Sequence, residues 1–309
     1  MDPTDPAPAG LPERPVTGED TRPVSPRTLL VTGCAALLCL TGCATGDTPG
    51  ADRAAPGEAV PTPDHVLVVV FENEDAENVV GGPDAPYLTS LARTGASFTD
   101  AHGETHPSQP NYLALFSGST HGVVDNTCPL DLSGPNLASQ LRDAGESFIG
   151  YSEGLPGVGY PGCQAGLYAR KHNPWVNFTD LPESVNQPFS ALPADFDDLP
   201  TVAVVVPDLC NDMHDCGVAA GDQWARDHLS GYVAWAQQND SLLVVTFDED
   251  NGSKANHIAT VLVGPMVRPG ASDQAIDHYS LLRTLEDMYG LDPLGRAADA
   301  APVRGIWID

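Results

Sequence analysis

The stretch THPSQPNYLALFSG, Thr105 to Gly118, sets a histidine, a serine, an asparagine and two prolines directly ahead of an apolar run that begins at Tyr112. Pro110 suits the first turn of a helix, where a missing N–H costs nothing. Ser108 then lies near the helix N-terminus, where free N–H groups and the helix dipole favour an anion. A hydroxyl in that position could attack an anionic ester if a cation bound to its oxygen lowered its pKa. Ser108 and Thr105 are the hydroxyls of the stretch that lie ahead of the apolar run. Ser117 and Ser119 fall a helix length away and read as ordinary helix-end residues.

The cation has an evident place to sit. Three continuous apolar runs, His65 to Phe71, Thr201 to Val206 and Ser241 to Phe247, read as strands buried on both faces. In open α/β sheets ligands bind beyond the carboxyl ends of such strands. The first run is followed by Glu72 and Asn73. The second is followed by PDLCNDMHDCG, with Asp208, Asp212, His214 and Asp215, and the third by Asp248, Glu249 and Asp250. One aspartate after a strand is ordinarily a turn former or a helix cap. Carboxylates at three strand ends would repel one another and raise their own pKa values unless a cation relieved them. Hard oxygen donors with an amide oxygen suit Mg, Ca or Mn, and the nearby histidines leave Zn open.

Around these runs strand and helix patterns alternate. Helical spacing appears in APYLTSLARTG, NLASQLRDAG, DQWARDHLSGYVAWAQQ and HYSLLRTLEDMYGL, and SFIGYSEG and HIATVLVG read as further strands. The alternation predicts an α/β sandwich of three layers, α/β/α, with a mostly parallel central sheet. Residues 151–199 are rich in Pro, Gly and Asn and weakly periodic. They read as an insertion that shapes or covers the site.

The chain of 309 residues carries a formal charge of −28, with only two lysines, Lys171 and Lys254. Such an acidic surface argues against nucleic acid as a partner. Near the N-terminus, RTLLVTGCAALLCLTGC is a basic residue followed by an apolar run too short to span a bilayer with margin. Its end, Leu40 to Cys43, resembles the lipobox of bacterial lipoproteins, which implies lipidation of Cys43 and a membrane-anchored, extracytoplasmic protein. A plain secretory signal and an apolar anchor helix are the competing readings, and release to the extracellular space is compatible with the first. The acidic, proline-containing lead from Met1 to Pro26 is either a long cytoplasmic extension or a sign that translation starts downstream. The expected organisation is a signal segment over 1–43, a flexible tether over 44–63 and a catalytic domain over 64–309. Export leaves four cysteines. Cys210 and Cys216 are six apart around a loop and are expected to pair, leaving Cys128 with Cys163; a zinc site is the weaker alternative, since no CxxC knuckle is present.

Taken in order, VLVVVFEN, THPSQPNYLALFSG, PDLCNDMHDCG, TFDEDNG with NHIATVLVGPMVRPG, and DHYSLLRTLEDMYGL resemble the bacterial phosphoesterase family of acid phosphatases and phospholipase C-like enzymes, within the alkaline phosphatase superfamily. The resemblance covers residues 65–291. It implies an alkaline phosphatase-like fold and metal-dependent hydrolysis of small phosphate esters through a phosphoseryl intermediate. Acid phosphatase activity on monoesters is the first expectation, and phosphodiesterase or phospholipase C activity the second. A surface lipoprotein that binds phosphate or a cation without turnover is the non-enzymatic reading. Carried over residue by residue, the resemblance makes Ser108 the nucleophile, ten residues before Gly118. Glu72, Asn73, Ser108, Asp248 and Glu249 become metal ligands, and Asn111 a phosphate ligand. Asp208 and His278 are offered as second-metal or phosphate contacts. His106, His214 and His257 are candidates to bind phosphate or to protonate a leaving alkoxide; His121 and His172 rank below them.

Overall fold

The computed structural model describes residues 59–253 and 255–308. Cys43, its lipobox, Lys254 and nearly all of the expected tether lie outside the described residues. The elements run β1 (His65–Phe71), α1 (Ala76–Val79), α2 (Pro86–Thr94), β2 (Ala96–His102), α3 (Ser108–Ser117), α4 (Leu137–Ala144), β3 (Phe148–Ser152), β4 (Gln164–Ala165), β5 (Tyr168–Ala169), β6 (Asn186–Pro188), β7 (Val202–Val206), α5 (Val218–Ala236), β8 (Ser241–Phe247), β9 (Thr260–Val263), β10 (Gly270–Asp277) and α6 (His278–Met288).

Eight strands form one sheet in the order β10-β2-β9-β8-β1-β7-β3-β6. Neighbours are parallel except that β9 runs antiparallel to both β2 and β8. The mostly parallel sheet matches the expectation, and its central strands explain their composition. β1, β7 and β8 are buried almost throughout, so alternation gives way to unbroken Val, Leu and Phe. Val68 and Val70 of β1 face Tyr112, Leu115 and Phe116 of α3 and Leu285 of α6. Phe71, of opposite parity, meets the edge of Trp224 on α5 at 5.9 Å between ring centroids. The sheet therefore carries helices on both faces.

Helix ends follow local chemistry. Asn136 accepts from the Ser139 backbone N–H at 2.9 Å while Ser139 Oγ accepts from the Asn136 N–H at 3.0 Å, a closed capping pair that starts α4. α3 stops at Gly118, φ 68°, where a Cβ would lie 2.1 Å from the Leu294 carbonyl oxygen, so backbone conformation and space both demand glycine.

Five strands were not apparent in the sequence: the two-residue β4 and β5, the three-residue β6 inside the insertion, and β2 and β10. β2 and β10 pair in parallel at one margin of the sheet; β2 is interrupted by the exposed Thr99 and Asp100, and β10 buries only Ile276, so neither shows an apolar run. HIATVLVG yields a strand only over Thr260–Val263, because His257 forms an isolated bridge with His102 instead. Both expected disulfides form: Cys128–Cys163 ties the segment before α4 to the insertion, and Cys210–Cys216 closes the loop after β7.

Glu286 lies fully buried on α6; one oxygen accepts from the Leu294 N–H at 2.8 Å and the other has no partner. Burial pushes its carboxyl up to about 8. The folded protein thus holds this proton more tightly than the unfolded chain does. The resulting stability is complete below the ordinary carboxylate range and is lost as pH rises through about 8. Glu286→Gln removes the titration, so the variant's Tm should gain on the wild type steadily between roughly pH 5 and 8. Thermal melts across that window test this; parallel curves for the two proteins would reject it.

Candidate active site at the carboxyl ends of β1, β7 and β8

Backbone register assembles the site. Phe71 and Phe247 are partners in adjacent parallel strands, so Glu72 and Asp248 emerge side by side. The Asp248 N–H donates to the Phe71 carbonyl at 3.0 Å, and the Glu72 N–H donates to the Asp212 carbonyl at 2.8 Å. The tip of β1 is thereby bonded to the loops that follow β8 and β7. Asn73 turns the chain with φ 55°, a conformation asparagine tolerates better than most residues, and its N–H donates to Asp248 Oδ1 at 3.2 Å.

Ser108 is the first residue of α3, buried, and the helix N-terminus points at the carboxylates. Its Oγ is 3.1 Å from Glu72 Oε2 and 3.3 Å from Glu249 Oε1. One hydroxyl proton cannot serve both oxygens at once. Three oxygens this close around a helix N-terminus are the donor set a divalent cation would take. One turn along the same helix face, the Tyr112 hydroxyl donates to Glu72 Oε1. Thr105, the rival hydroxyl, donates to the His106 carbonyl and meets none of the carboxylates.

The electrostatics point the same way. Burial, then Glu72 and Glu249, hold the Asp248 carboxyl well above its usual range. Its Oδ2 is buried without a hydrogen-bond partner. Burial raises Glu249 against the opposing pull of His106. Glu72 goes the other way: burial would raise it, but His172, Lys171 and Tyr112 outweigh burial and lower it. A metal ion at this point would relieve the repulsion that raises Asp248 and use its orphaned oxygen, so the residues present fit such an ion. Within the chain, Glu72, His172 and Asp212 form a second convergent group whose ligand atoms lie within 4.8 Å of one another. His172 sits between the two acids, 3.1 Å from Glu72 Oε1 and 3.2 Å from Asp212 Oδ2. Neither His172 Nε2 nor Asp212 Oδ2 is aligned for a hydrogen bond, although each lies at ion-pair distance from its neighbour.

The structure brings together most of the residues singled out in the sequence, with instructive exceptions. His106 bonds Glu249 Oε2 at 2.6 Å and lines an open cleft of ≈ 370 Å³ together with Asn73, His214 and Glu249. His214 is held by Asp215 at Nδ1, 2.7 Å, and its Nε2 lies 3.2 Å from Lys171 Nζ. His257 is elsewhere: its Nε2 binds the Thr99 carbonyl, its ring lies against His102, and it does not line the cleft. Asn111 has no amide hydrogen to spare for phosphate, since both donate to the carbonyls of Thr105 and Pro107 while its oxygen receives the Glu104 and Thr105 N–H groups. It braces the loop that presents Ser108. Asp208 caps the N–H groups of Cys210 and Asn211, and Asp212, four residues on, reaches the site in its place. His278 is buried at the start of α6 and bonds the Phe247 carbonyl, beneath the acidic group rather than within it.

The sequence does not single out Tyr112, and it places His172 below the other candidate histidines. Tyr112 reads as the start of an apolar run, although its spacing of four from Ser108 places both on one helix face. His172 lies in the insertion, where no periodicity marks it; its ring stacks on Tyr112 at 5.3 Å.

Comparison with known proteins agrees with this geometry. The chain is 51% identical over 254 residues to a protein of Mycobacterium tuberculosis named phosphatidylinositol-3-phosphatase, covering 81% of this chain and 85% of that one. It is 32% identical over 256 residues to an acid phosphatase of Aspergillus fumigatus, covering 74% of this chain and 55% of the fungal enzyme. Among solved structures, an alkaline phosphatase superfamily protein from Vibrio parahaemolyticus superposes with a TM-score of 0.54 at 14% identity, over 78% of this chain and 71% of that one. That likeness establishes the fold. The sequence model of the phosphoesterase family matches residues 82–292, and the chain belongs to that family, as a hydrolase of phosphoric esters.

Proposed function

We propose that the protein is a metal-dependent phosphomonoesterase of acid-phosphatase type that works through a phosphoseryl intermediate at Ser108. The observation that carries this reading is the position of Ser108 Oγ, at the N-terminus of α3 and within 3.3 Å of both Glu72 and Glu249. When bound, a divalent ion would supply Lewis-acid activation of the hydroxyl and offset negative charge on the phosphate. Glu72, Asn73, Asp248 and Glu249 are the side chains placed to hold it beside Ser108, with Mg, Ca, Mn and Zn as candidates.

The chain's own groups perform the rest. Ser108 Oγ attacks phosphorus and displaces the ester oxygen, and its proton passes to the neighbouring carboxylates. The α3 N-terminus favours the anion as charge gathers on the phosphate. His214 exchanges protons first with the leaving oxygen and then with the water that cleaves the Ser108 ester. His106, fixed by Glu249 and the Ser253 carbonyl, forms one wall of the cleft. The names of the relatives support a monoester substrate, with a phosphorylated inositol headgroup among the compounds to test. Export and lipid anchoring at Cys43 complete the proposal, motivated by the lipobox and by disulfides suited to an oxidising compartment.

Ser108→Ala should lower kcat by about 10³-fold or more while leaving the melting temperature nearly unchanged, and Thr105→Ala should be far milder. An acid-quenched reaction should show phosphate on Ser108 by mass spectrometry. A near-normal rate for Ser108→Ala would end the phosphoseryl reading. Chelation should abolish turnover, and Asp248→Asn should weaken metal affinity by calorimetry; full activity in a sample shown to be metal-free would contradict the mechanism. The Cys210–Cys216 bond encloses the loop carrying Asp212 and His214, so Cys210→Ser with Cys216→Ser should reduce kcat more than it reduces Tm. A large loss of Tm with kcat intact would show that the bond serves the fold alone.

A further inference from the structure

We propose that Lys171 is a substrate-binding residue that selects for dianionic phosphate, and so for monoesters over diesters. The inference rests on the phosphomonoesterase reading and names what makes that site prefer its substrate.

Charge balance creates the need. Glu72, Asp212, Asp248 and Glu249 converge in one buried region. A divalent ion offsets two of those four carboxylate charges, and His172, set between Glu72 and Asp212, at most one more. A phosphomonoester brings about two more negative charges near neutral pH. No arginine lines the cleft among the described residues. Lys171 is the only lysine among them, and its ammonium is close enough to help lower the Glu72 carboxyl. In a chain of net charge −28 with two lysines, one whose Nζ lies 3.2 Å from a histidine of the cleft needs a reason.

The backbone of Lys171 is fixed on both sides. Arg170 is buried and spends its guanidinium on Asn177 Oδ1 and on the carbonyls of Pro161, Leu130 and Val176. His172 is wedged between Glu72 and Asp212. Lys171 itself is only part-buried, and its Nζ rests 3.2 Å from His214 Nε2, the nitrogen of a residue that lines the cleft. Its stem is flexible, and this imidazole contact can be exchanged for a stronger, charge-assisted bond to a phosphate oxygen. Arg170, tied to four acceptors, cannot make that move. A monoester presents three non-bridging oxygens and a diester two. The oxygen and the charge that a monoester has in addition are what a mobile ammonium can recognise.

The test uses the full chain with its metal. Lys171→Met, Lys171→Gln and Lys171→Arg are compared for binding of inorganic phosphate by calorimetry, and for turnover of p-nitrophenyl phosphate and bis-p-nitrophenyl phosphate. Metal content is measured by mass spectrometry. The Met and Gln variants should weaken phosphate binding and raise KM for the monoester by about 10- to 100-fold, the range expected for one charged hydrogen bond. Metal content should not change, the diester should be affected by less than about 3-fold, and Arg should restore most of the loss. Equal losses on both esters, unchanged phosphate binding, or a loss of metal in the Met and Gln variants would each overturn the proposal. A wild-type protein inert toward monoesters would instead defeat the phosphomonoesterase reading, while phosphate binding would still decide the role of Lys171.

Discussion

Mutual repulsion among buried carboxylates is the constraint on which this architecture turns. Glu72 is fully buried, with Asp248 and Glu249 beside it on one side and Asp212 on the other. Groups of like charge so close in a poorly solvated region cannot all ionise unless cations are supplied. Every notable feature nearby answers that demand. The α3 dipole points into the group, Tyr112 donates to Glu72, and His172 lies between two acids. Asp248 carries a carboxyl of raised pKa and an orphaned oxygen where a metal ion would bind.

The sheet makes this costly arrangement rigid. Glu72 is bonded through its backbone to the Asp212 loop, and Phe71 to Asp248, so the acids cannot separate without breaking β1 from its neighbours. Behind them, β1, β7 and β8 are close to fully apolar on both faces. Burial of these strands supplies the stability that offsets the electrostatic strain at their tips. Loops do the finer positioning: Asn111 braces the turn before Ser108, and Asp215 orients the His214 ring. The insertion contributes more than cover, since one short turn anchored by Arg170 brings Lys171 and His172 to the acids.

The sequence by itself determined the central strands, the helices that flank them and the chemistry at their ends. Short unbroken runs rich in Val between helical patterns read as buried strands, and the residues just beyond them gather at one edge of a parallel sheet. That logic reached Glu72, Asn73, Asp248 and Glu249 from local pattern alone, and the approach of Ser108 to Glu72 and Glu249 follows from a helix that begins at the same edge. The disulfide pairing was legible as well, because Cys210 and Cys216 are close along the chain.

Only the tertiary structure decided which side chains actually face one another. Asp208 and Asp212 look equivalent in sequence, but the first turns back to cap its own loop and the second is drawn to His172. Asn111 reads as a free amide until its four hydrogen bonds inside the loop are seen. His257 reads as a site residue, yet its bridge to His102 across β2 carries it away. His172 ranks low in the sequence because an insertion without periodicity gives no face or direction; its place is fixed by contacts with Glu72 and Asp212, 100 and 40 residues distant in the chain. Local pattern specifies where a segment lies in the layers. The aim of a polar side chain depends on which partners long-range packing leaves within reach, and no window of sequence contains them.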